Sequence, residues 1–282
     1  MTVASTKAYA LGAGDAERAR LLQQGELFRT EAEALIDRIG VAPGWRTIDI
    51  GCGPLGVLDI LADRVGPSAA VVGLDNEPRM LELAGATRAE RDLTTVELVS
   101  ADAAATGLAS ESFDLVHERL VVLNIPDPGD VVAEMARLAR PDGYVALQDL
   151  DGVSWLCHPP HPAWDRLITA FWAAWRDAGL QPDLGRRLPG MLREAGLVDI
   201  HVDAHLKVLG AGDPGHRVLL ELTSTFRERI LAIGALTEAG LDECIEELAV
   251  HLERPDSFTL YPTLFQAWGR KPNRRRPEGP PR

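Results

Sequence analysis

Residues Ile48-Asp49-Ile50-Gly51-Cys52-Gly53-Pro54-Leu55-Gly56 join a short apolar run directly to three glycines. The run reads as a buried strand, and the glycines as a tight turn that lets backbone N–H groups approach a ligand where the next helix begins. A strand that feeds a helix in this way restricts the chain to layered α/β folds. The same texture continues from Trp45 to Asp149, where short apolar runs alternate with helical segments, as in a parallel sheet wound by helices on both faces. Five strands are expected, centred on Thr47–Ile50, Val71–Asp75, Val96–Ser100, Phe113–His117 and Tyr144–Gln148. The intervening helices are expected to start near Pro54, Pro78 and Gly129; proline is favourable in a first helical turn.

The turn fits the G-x-G-x-x-G dinucleotide pattern, and Asp75 ends the next strand about twenty residues on, where a ribose-binding carboxylate belongs. By itself the motif leaves two cofactor classes open. Asp49 separates them: a carboxylate inside the strand would repel a pyrophosphate at the turn, whereas a cofactor with a positive sulfur and an ammonium group would be attracted. Further landmarks stand at Asp102 and at Phe113–Arg119.

Five stretches in order carry a family resemblance: Thr47-Ile48-Asp49-Ile50-Gly51-Cys52-Gly53, Val71-Val72-Gly73-Leu74-Asp75, Ser100-Ala101-Asp102-Ala103, Phe113-Asp114-Leu115-Val116-His117-Glu118-Arg119 and Leu138-Ala139-Arg140-Pro141-Asp142-Gly143-Tyr144. With them the chain, from Tyr9 to Arg270, resembles the class I S-adenosylmethionine-dependent methyltransferases, in particular the ubiquinone/menaquinone-methyltransferase-like branch of small-molecule, natural-product type. Pro54-Leu55 depart from that pattern, which often has a small or hydroxylated residue there. The resemblance implies a doubly wound, Rossmann-like, seven-stranded, mostly parallel sheet. It also implies an N-terminal helical lid (1–44), a core (45–209 and 257–270), a helical cap inserted between the last two strands (210–256) and a basic tail (271–282).

Composition narrows the partners. The chain has 282 residues, 46% hydrophobic, enough for one large domain or a domain with a cap. Its formal net charge of −13 argues against a nucleic-acid substrate, which needs a basic stripe to displace counterions. The tail from Arg270 to Arg282 is the basic exception and reads as a solvated extension. No apolar run reaches the roughly 18–20 residues of a membrane span, and the first residues lack the apolar core of a signal peptide. A cytoplasmic location is therefore expected. Cys52, Cys157 and Cys244 are too few and too scattered for a disulfide framework or a C-x-x-C metal site.

Outside the sheet region, Asp15 to Ile39 reads as two helices interrupted near Gly25. Asp151 to Pro162 reads as a loop, followed by an apolar helix through Leu167, Phe171, Trp172 and Trp175, and another over Leu188 to Ala195. Val198 to Val208 alternate strictly, as in a half-exposed strand, with two helices expected between Asp213 and Glu253 and a last strand from Phe258 to Gly269.

The resemblance assigns roles. Gly51, Cys52 and Gly53 approach the methionine part, with Asp49 either binding the ammonium through water or fixing the loop. Asp75 and the adjacent Asn76 serve the ribose, where two carboxylate oxygens suit two hydroxyl donors. Met80 packs on adenine, Asp102 and the Ala103 N–H meet its edge, Glu118 makes a strand-end contact, and Gln24 reaches toward the cofactor carboxylate. His117 is a candidate on the acceptor side, although a histidine at a strand end is more often a hydrogen-bonded scaffold residue. Trp155 and Trp172 suit a planar, apolar acceptor, although aromatic residues at helical spacing also make plain core. Candidate bases are Asp151, His158 and the lid residue Tyr9. The Cys157-His158-Pro159-Pro160-His161 cluster matches no zinc spacing, and the Asp-Asn pair of a magnesium site is not found, so no metal is expected and the loop is expected to line the acceptor pocket.

The function expected is methyl transfer from S-adenosylmethionine, by in-line displacement, to a small aromatic acceptor, with carbon of an indole or quinone favoured. O- or N-methylation, a NAD-dependent oxidoreductase and a non-catalytic cofactor-binding protein remain the alternatives. Self-association into a homo-oligomer is left open.

Overall fold

The computed structural model describes residues 15–213 and 215–273, with side chains from Arg20 onward. Tyr9 and most of the basic tail lie outside the described residues. Two helices, α1 (Asp15–Leu27) and α2 (Arg29–Ile39), precede the sheet. Their break falls at Phe28, not near Gly25, which stays inside α1.

Strands β1 (Thr47–Ile50), β2 (Val71–Asp75), β3 (Val96–Ser100), β4 (Phe113–Arg119) and β5 (Ala139–Asp151) run parallel, connected in turn by α3 (Leu58–Val65), α4 (Pro78–Glu90) and, after β4, α5 (Pro128–Leu138). Helix α3 starts four residues beyond Pro54, because the turn continues through Gly56 with positive φ at Gly51, Gly53 and Gly56. Beyond β5 come β6 (Leu156–His158), α6 (Pro162–Asp177), α7 (Leu188–Glu194), β7 (Val198–His205), β8 (Val208–Gly210), α8 (Val218–Thr225), α9 (Arg227–Ala232), α10 (Glu238–Leu252), β9 (Phe258–Leu260) and β10 (Thr263–Arg270). The main sheet has seven strands in the order β3-β2-β1-β4-β5-β10-β7, with β10 antiparallel to both neighbours. β5 is longer than expected because β10 pairs along it from Arg270↔Tyr144 to Thr263↔Asp151.

The expected strand over 198–208 is two strands in two sheets: β7 edges the main sheet, and β8 joins a small sheet ordered β6-β9-β8. The expected loop at 151–162 thus contains a strand, and the expected last strand divides at Tyr261-Pro262 into β9 and β10. Along β7 the polar row is the one engaged. His201 stacks on Trp268, Asp203 pairs with Arg38 of α2, and His205 bonds Gln266, which leaves Val198 and Val202 on the exposed side.

Three apolar clusters hold the molecule. Ala32, Leu35 and Ile36 of α2 with Leu58 and Leu61 of α3 cover one sheet face, and Val131, Met135, Leu188 and Leu192 of α5 and α7 cover the other. The third lies off the main sheet, where α6 packs against α8, α9 and α10 together with Phe28, Trp155 and Tyr261. Helix α6 therefore belongs with the expected cap helices.

Leu248 is fully buried where α10 meets α6. Leu248→Ala is expected to cost about 2–5 kcal/mol through lost burial and the cavity left behind. Urea unfolding should show a lower midpoint with an unchanged slope.

Candidate functional site

The carboxyl ends of the parallel strands point toward the glycine turn, and Asp49 governs its shape. The carboxylate is buried; Oδ2 accepts the Val57 N–H at 3.2 Å and Oδ1 lies 2.7 Å from His117 Nδ1. A Cβ at Gly56 would stand 2.0 Å from Asp49 Oδ2, and one at Gly51 would stand 2.4 Å from Val121, so the turn can close over the acid only as glycine. At Gly53 a Cβ would meet nothing within 4 Å, so no neighbouring atom crowds the turn at that point. Of the two roles open for Asp49, the structure shows loop fixing. His117 Nε2 lies 2.6 Å from the Gln148 amide, and both ring nitrogens are occupied in a fully buried side chain. The structure therefore does not bring His117 to an acceptor; it is scaffold.

A cavity of about 930 Å³ lies in front of the turn. One part is lined by Gly51, Cys52, Gly53, Asp75, Asn76, Met80, Asp102 and Ala103, and Gln24 of α1 also faces the cavity. Asp75 accepts Gly53 N–H on Oδ2 and Glu77 N–H on Oδ1, each at 2.9 Å, which fixes the carboxylate at the end of β2. Burial raises its pKa, and the backbone bonds partly oppose that. Asp102 is held by Ala104 N–H at 2.8 Å. Burial also pushes the Cys52 thiol well up, so it is no nucleophile at neutral pH.

The other part is aromatic, lined by Trp155, Phe171, Trp172, Trp175 and Tyr261. Trp172 stands edge-on to Trp155 and Trp175 with centroids 6.2 and 6.1 Å away, and Phe171 lies 4.7 Å from Trp172. Trp155 and Trp172 are thus brought together with Gly51, Gly53, Asp75 and Asp102 in one cavity. Tyr261 came from no sequence reading; its only local signal is the Tyr-Pro break between two strands.

Three expected residues are placed elsewhere. Asp151 is buried with both oxygens on the Arg186 guanidinium and Oδ1 also on Val153 N–H, an ion pair that occupies the group expected as a base. His158 is exposed on the small sheet and stacks on Phe258. The loop from Cys157 to His161, expected at the acceptor pocket, instead packs on α10: His251 Nε2 donates to Pro159 O at 2.9 Å, and His161 Nδ1 accepts Ala163 N–H. Glu118, expected at the cofactor, is fully buried behind the cavity wall. Among the described residues no cluster of three or more His, Cys, Asp or Glu is disposed to hold a metal.

The methyltransferase-domain family matches residues 42–178, from before β1 through the end of α6. This segment, just under half of the chain, is similar to methyltransferase domains. A 122-residue stretch is 40% identical to nocamycin O-methyltransferase of Saccharothrix syringae, covering 43% of this chain and 44% of that protein. The chain thus spans less than half the length of that relative. It is 29% identical over 197 residues to demethylmenaquinone methyltransferase of Geobacillus sp. (strain WCH70), covering 66% of this chain and 84% of the relative. In three dimensions the YcgJ protein of Bacillus subtilis superposes with a TM-score of 0.57 at 17% identity, over 85% of this chain and 97% of its own, which shows a shared fold.

Within the segment that matches the methyltransferase-domain family, a pair of buried acids shapes the cavity wall from behind. Glu118 Oε2 accepts the N–H groups of Val121 and Val122 at 3.0 and 3.4 Å, and Oε1 accepts Gln148 N–H. Asp149 accepts Leu123 N–H at 2.8 Å and Leu150 N–H at 3.0 Å. Together they pin the segment after β4, whose Leu120, Val121, Leu123 and Asn124 line the cavity. Burial raises the pKa of Glu118, with the nearby Asp149 charge adding to it, and burial pushes Asp149 from 3.8 up to about 7.

The folded domain therefore holds a proton on Asp149 that the unfolded chain releases. The stability so contributed is full below the ordinary value of 3.8 and is lost as pH rises through about 7. Asp149→Asn removes this titration at a constant cost in hydrogen bonding. In thermal unfolding between about pH 4 and pH 8, the wild-type Tm should fall relative to the variant's; parallel curves would contradict the assignment.

Proposed function

We propose that the chain is an S-adenosylmethionine-dependent methyltransferase acting on a small, planar, largely apolar acceptor. The observation that carries this is one continuous cavity, with the glycine turn, Asp75 and Asp102 in one part and five aromatic side chains in the other. The residues fit the cofactor: no side chain stands over Gly53, Asp75 sits half-buried at a strand end with unused acceptor capacity, and Met80 offers an apolar surface. When bound, the cofactor supplies an electrophilic methyl group on a positively charged sulfur. In this reading Asp75 holds the ribose, Asn76 stands beside it, Met80 lies against adenine, and Asp102 with the Ala103 N–H reads the adenine edge. The turn from Gly51 to Gly53 carries the methionine portion, with Gln24 above it.

The protein's remaining task is alignment at about 3–3.5 Å in a site cleared of water. Trp155, Phe171, Trp172 and Trp175 supply flat, rigid walls for that purpose. Carbon of an electron-rich ring is the favoured acceptor atom, since the structure occupies Asp151 with Arg186 and carries His158 away from the cavity. A second reading, oxygen, draws on the alignment with nocamycin O-methyltransferase. The acidic composition supports a small acceptor over a nucleic acid. No described helix is long and apolar enough to cross a membrane.

The test is transfer of label from methyl-labelled S-adenosylmethionine to a panel of indoles, quinols, phenols and amines, with bulk protein and RNA as separate fractions. Label in a small aromatic product is expected, and fragmentation locates the new methyl. Label confined to macromolecules would overturn the acceptor class, and binding of NAD without S-adenosylhomocysteine binding would revive an oxidoreductase. Trp172→Ala should raise the KM for the acceptor about tenfold or more by removing apolar contact, with S-adenosylhomocysteine affinity, read by calorimetry, unchanged.

A further inference from the structure

Arg119 ends β4 beside the glycine turn and lines the cavity, yet its guanidinium is only partly satisfied. Nη2 donates to Gly56 O at 3.0 Å, while Nη1 is buried and has no hydrogen-bond partner among the described residues. A buried cationic donor without an acceptor is costly, because neither water nor a counter-ion replaces the lost hydration. The acids around it are already committed. Asp49 is taken by His117 and Val57, and Asp59 by Arg29 and Arg91. Glu31 bonds Lys207 through Oε1 and stands beyond ion-pair distance from Arg119. Its own Oε2 is also unpartnered, but Glu31 is not part of the cavity lining.

On the ligand side the match is specific. Adenosine and the sulfonium carry no negative charge; the one anionic group of S-adenosylmethionine is its α-carboxylate. Carboxylates are the planar acceptors that a guanidinium fork binds best. Above the guanidinium lies Gly25 of α1, whose Cβ, if present, would stand 3.5 Å from Nη2, so no side chain from α1 covers the cation at that point. The helix thereby accepts a glycine in its interior, at about 1 kcal/mol relative to alanine.

We infer that Arg119 is the counter-ion of the cofactor's methionine carboxylate, joining the turn to the ligand through Gly56 on one side and the carboxylate on the other. The inference rests on the S-adenosylmethionine reading above. It adds to that reading a residue at the end of β4, whose role is to bind and orient the amino-acid end and thus the sulfur.

The experiment compares S-adenosylmethionine with decarboxylated S-adenosylmethionine, which keeps the sulfonium and the amine and lacks only the carboxylate. By titration calorimetry the wild-type chain should prefer the carboxylate-bearing ligand by about 10- to 100-fold, the range for a charge-assisted hydrogen-bonded pair. Arg119→Met should abolish the preference while leaving affinity for the decarboxylated ligand nearly unchanged, which also shows that the variant is folded. Arg119→Lys, with charge but no fork, should fall between. If Arg119→Met keeps the full preference, or weakens both ligands equally, Arg119 only shapes the turn and the inference fails while the cofactor reading stands. If the wild type binds neither ligand, both fall.

Discussion

Everything around the glycine turn depends on a row of polar side chains that crosses the main sheet. Asp49, His117, Gln148, Gln266 and His205 come from five neighbouring strands, β1, β4, β5, β10 and β7, and each bonds the next. The donors run in one direction. With Asp49 as acceptor, His117 carries its proton on Nδ1 and takes the Gln148 amide on Nε2; Gln148 Oε1 accepts from Gln266, and Gln266 Oε1 from His205. Gln266 also donates to the Glu31 carbonyl, which anchors α2 to the same row. A one-residue slip of any strand would turn its polar member into the opposite, apolar layer and leave two neighbours unsatisfied, so the row fixes register as well as adhesion.

The row ends where the cavity begins. Because Asp49 is clamped on one side by His117, its free oxygen faces the turn at a fixed height and captures Val57 N–H, and the glycines wrap around it. The turn's N–H groups and the adjacent Asp75 then have positions set by the sheet and not by the ligand. Such preorganisation lets alignment carry the chemistry, because the binding groups need not be reordered when a ligand arrives.

Much of this was legible in sequence, and the part that was not has a definite physical character. The turn and Asp75 follow from local spacing, since a βαβ unit places strand ends at set intervals, and Asp102 and Met80 follow from the family resemblance. Strand existence from Thr47 to Gln148 followed from apolar runs alone. What spacing does not encode is which face of a strand, or which neighbouring element, a polar group meets. His117 and Glu118 are adjacent in β4 and both read as crevice residues; pairing with Asp49 and Gln148 turns the first into the sheet, and the second turns to the following backbone. Asp151 reads as a free base in the sequence because Arg186, thirty-five positions later, gives no local sign of reaching it. The alternation over 198–208 was seen correctly, but its change of partner after His205, from β10 to β9, is a tertiary event. Small sheets of three-residue strands leave almost no periodic trace.

The acids at the strand ends also divide their labour in a way composition alone conceals. Each parallel strand hands its chain to a loop whose first N–H groups have left the ladder and need acceptors. Asp49 supplies one for Val57, Glu118 for Val121 and Val122, and Asp149 for Leu123; these carboxyls are spent on backbone and stand behind the wall. Asp75 likewise holds Gly53 and Glu77, yet of the four it alone also lines the cavity. Of the strand-end acids, therefore, Asp75 is the one that faces the cavity, with Asp102 and the Arg119 guanidinium beside it in the lining. An acid-rich row of strand ends looks like abundant general-base chemistry in the sequence. Folded, it is mainly a set of loop anchors, and the reaction left to such a site is one that needs alignment and dryness more than proton transfer.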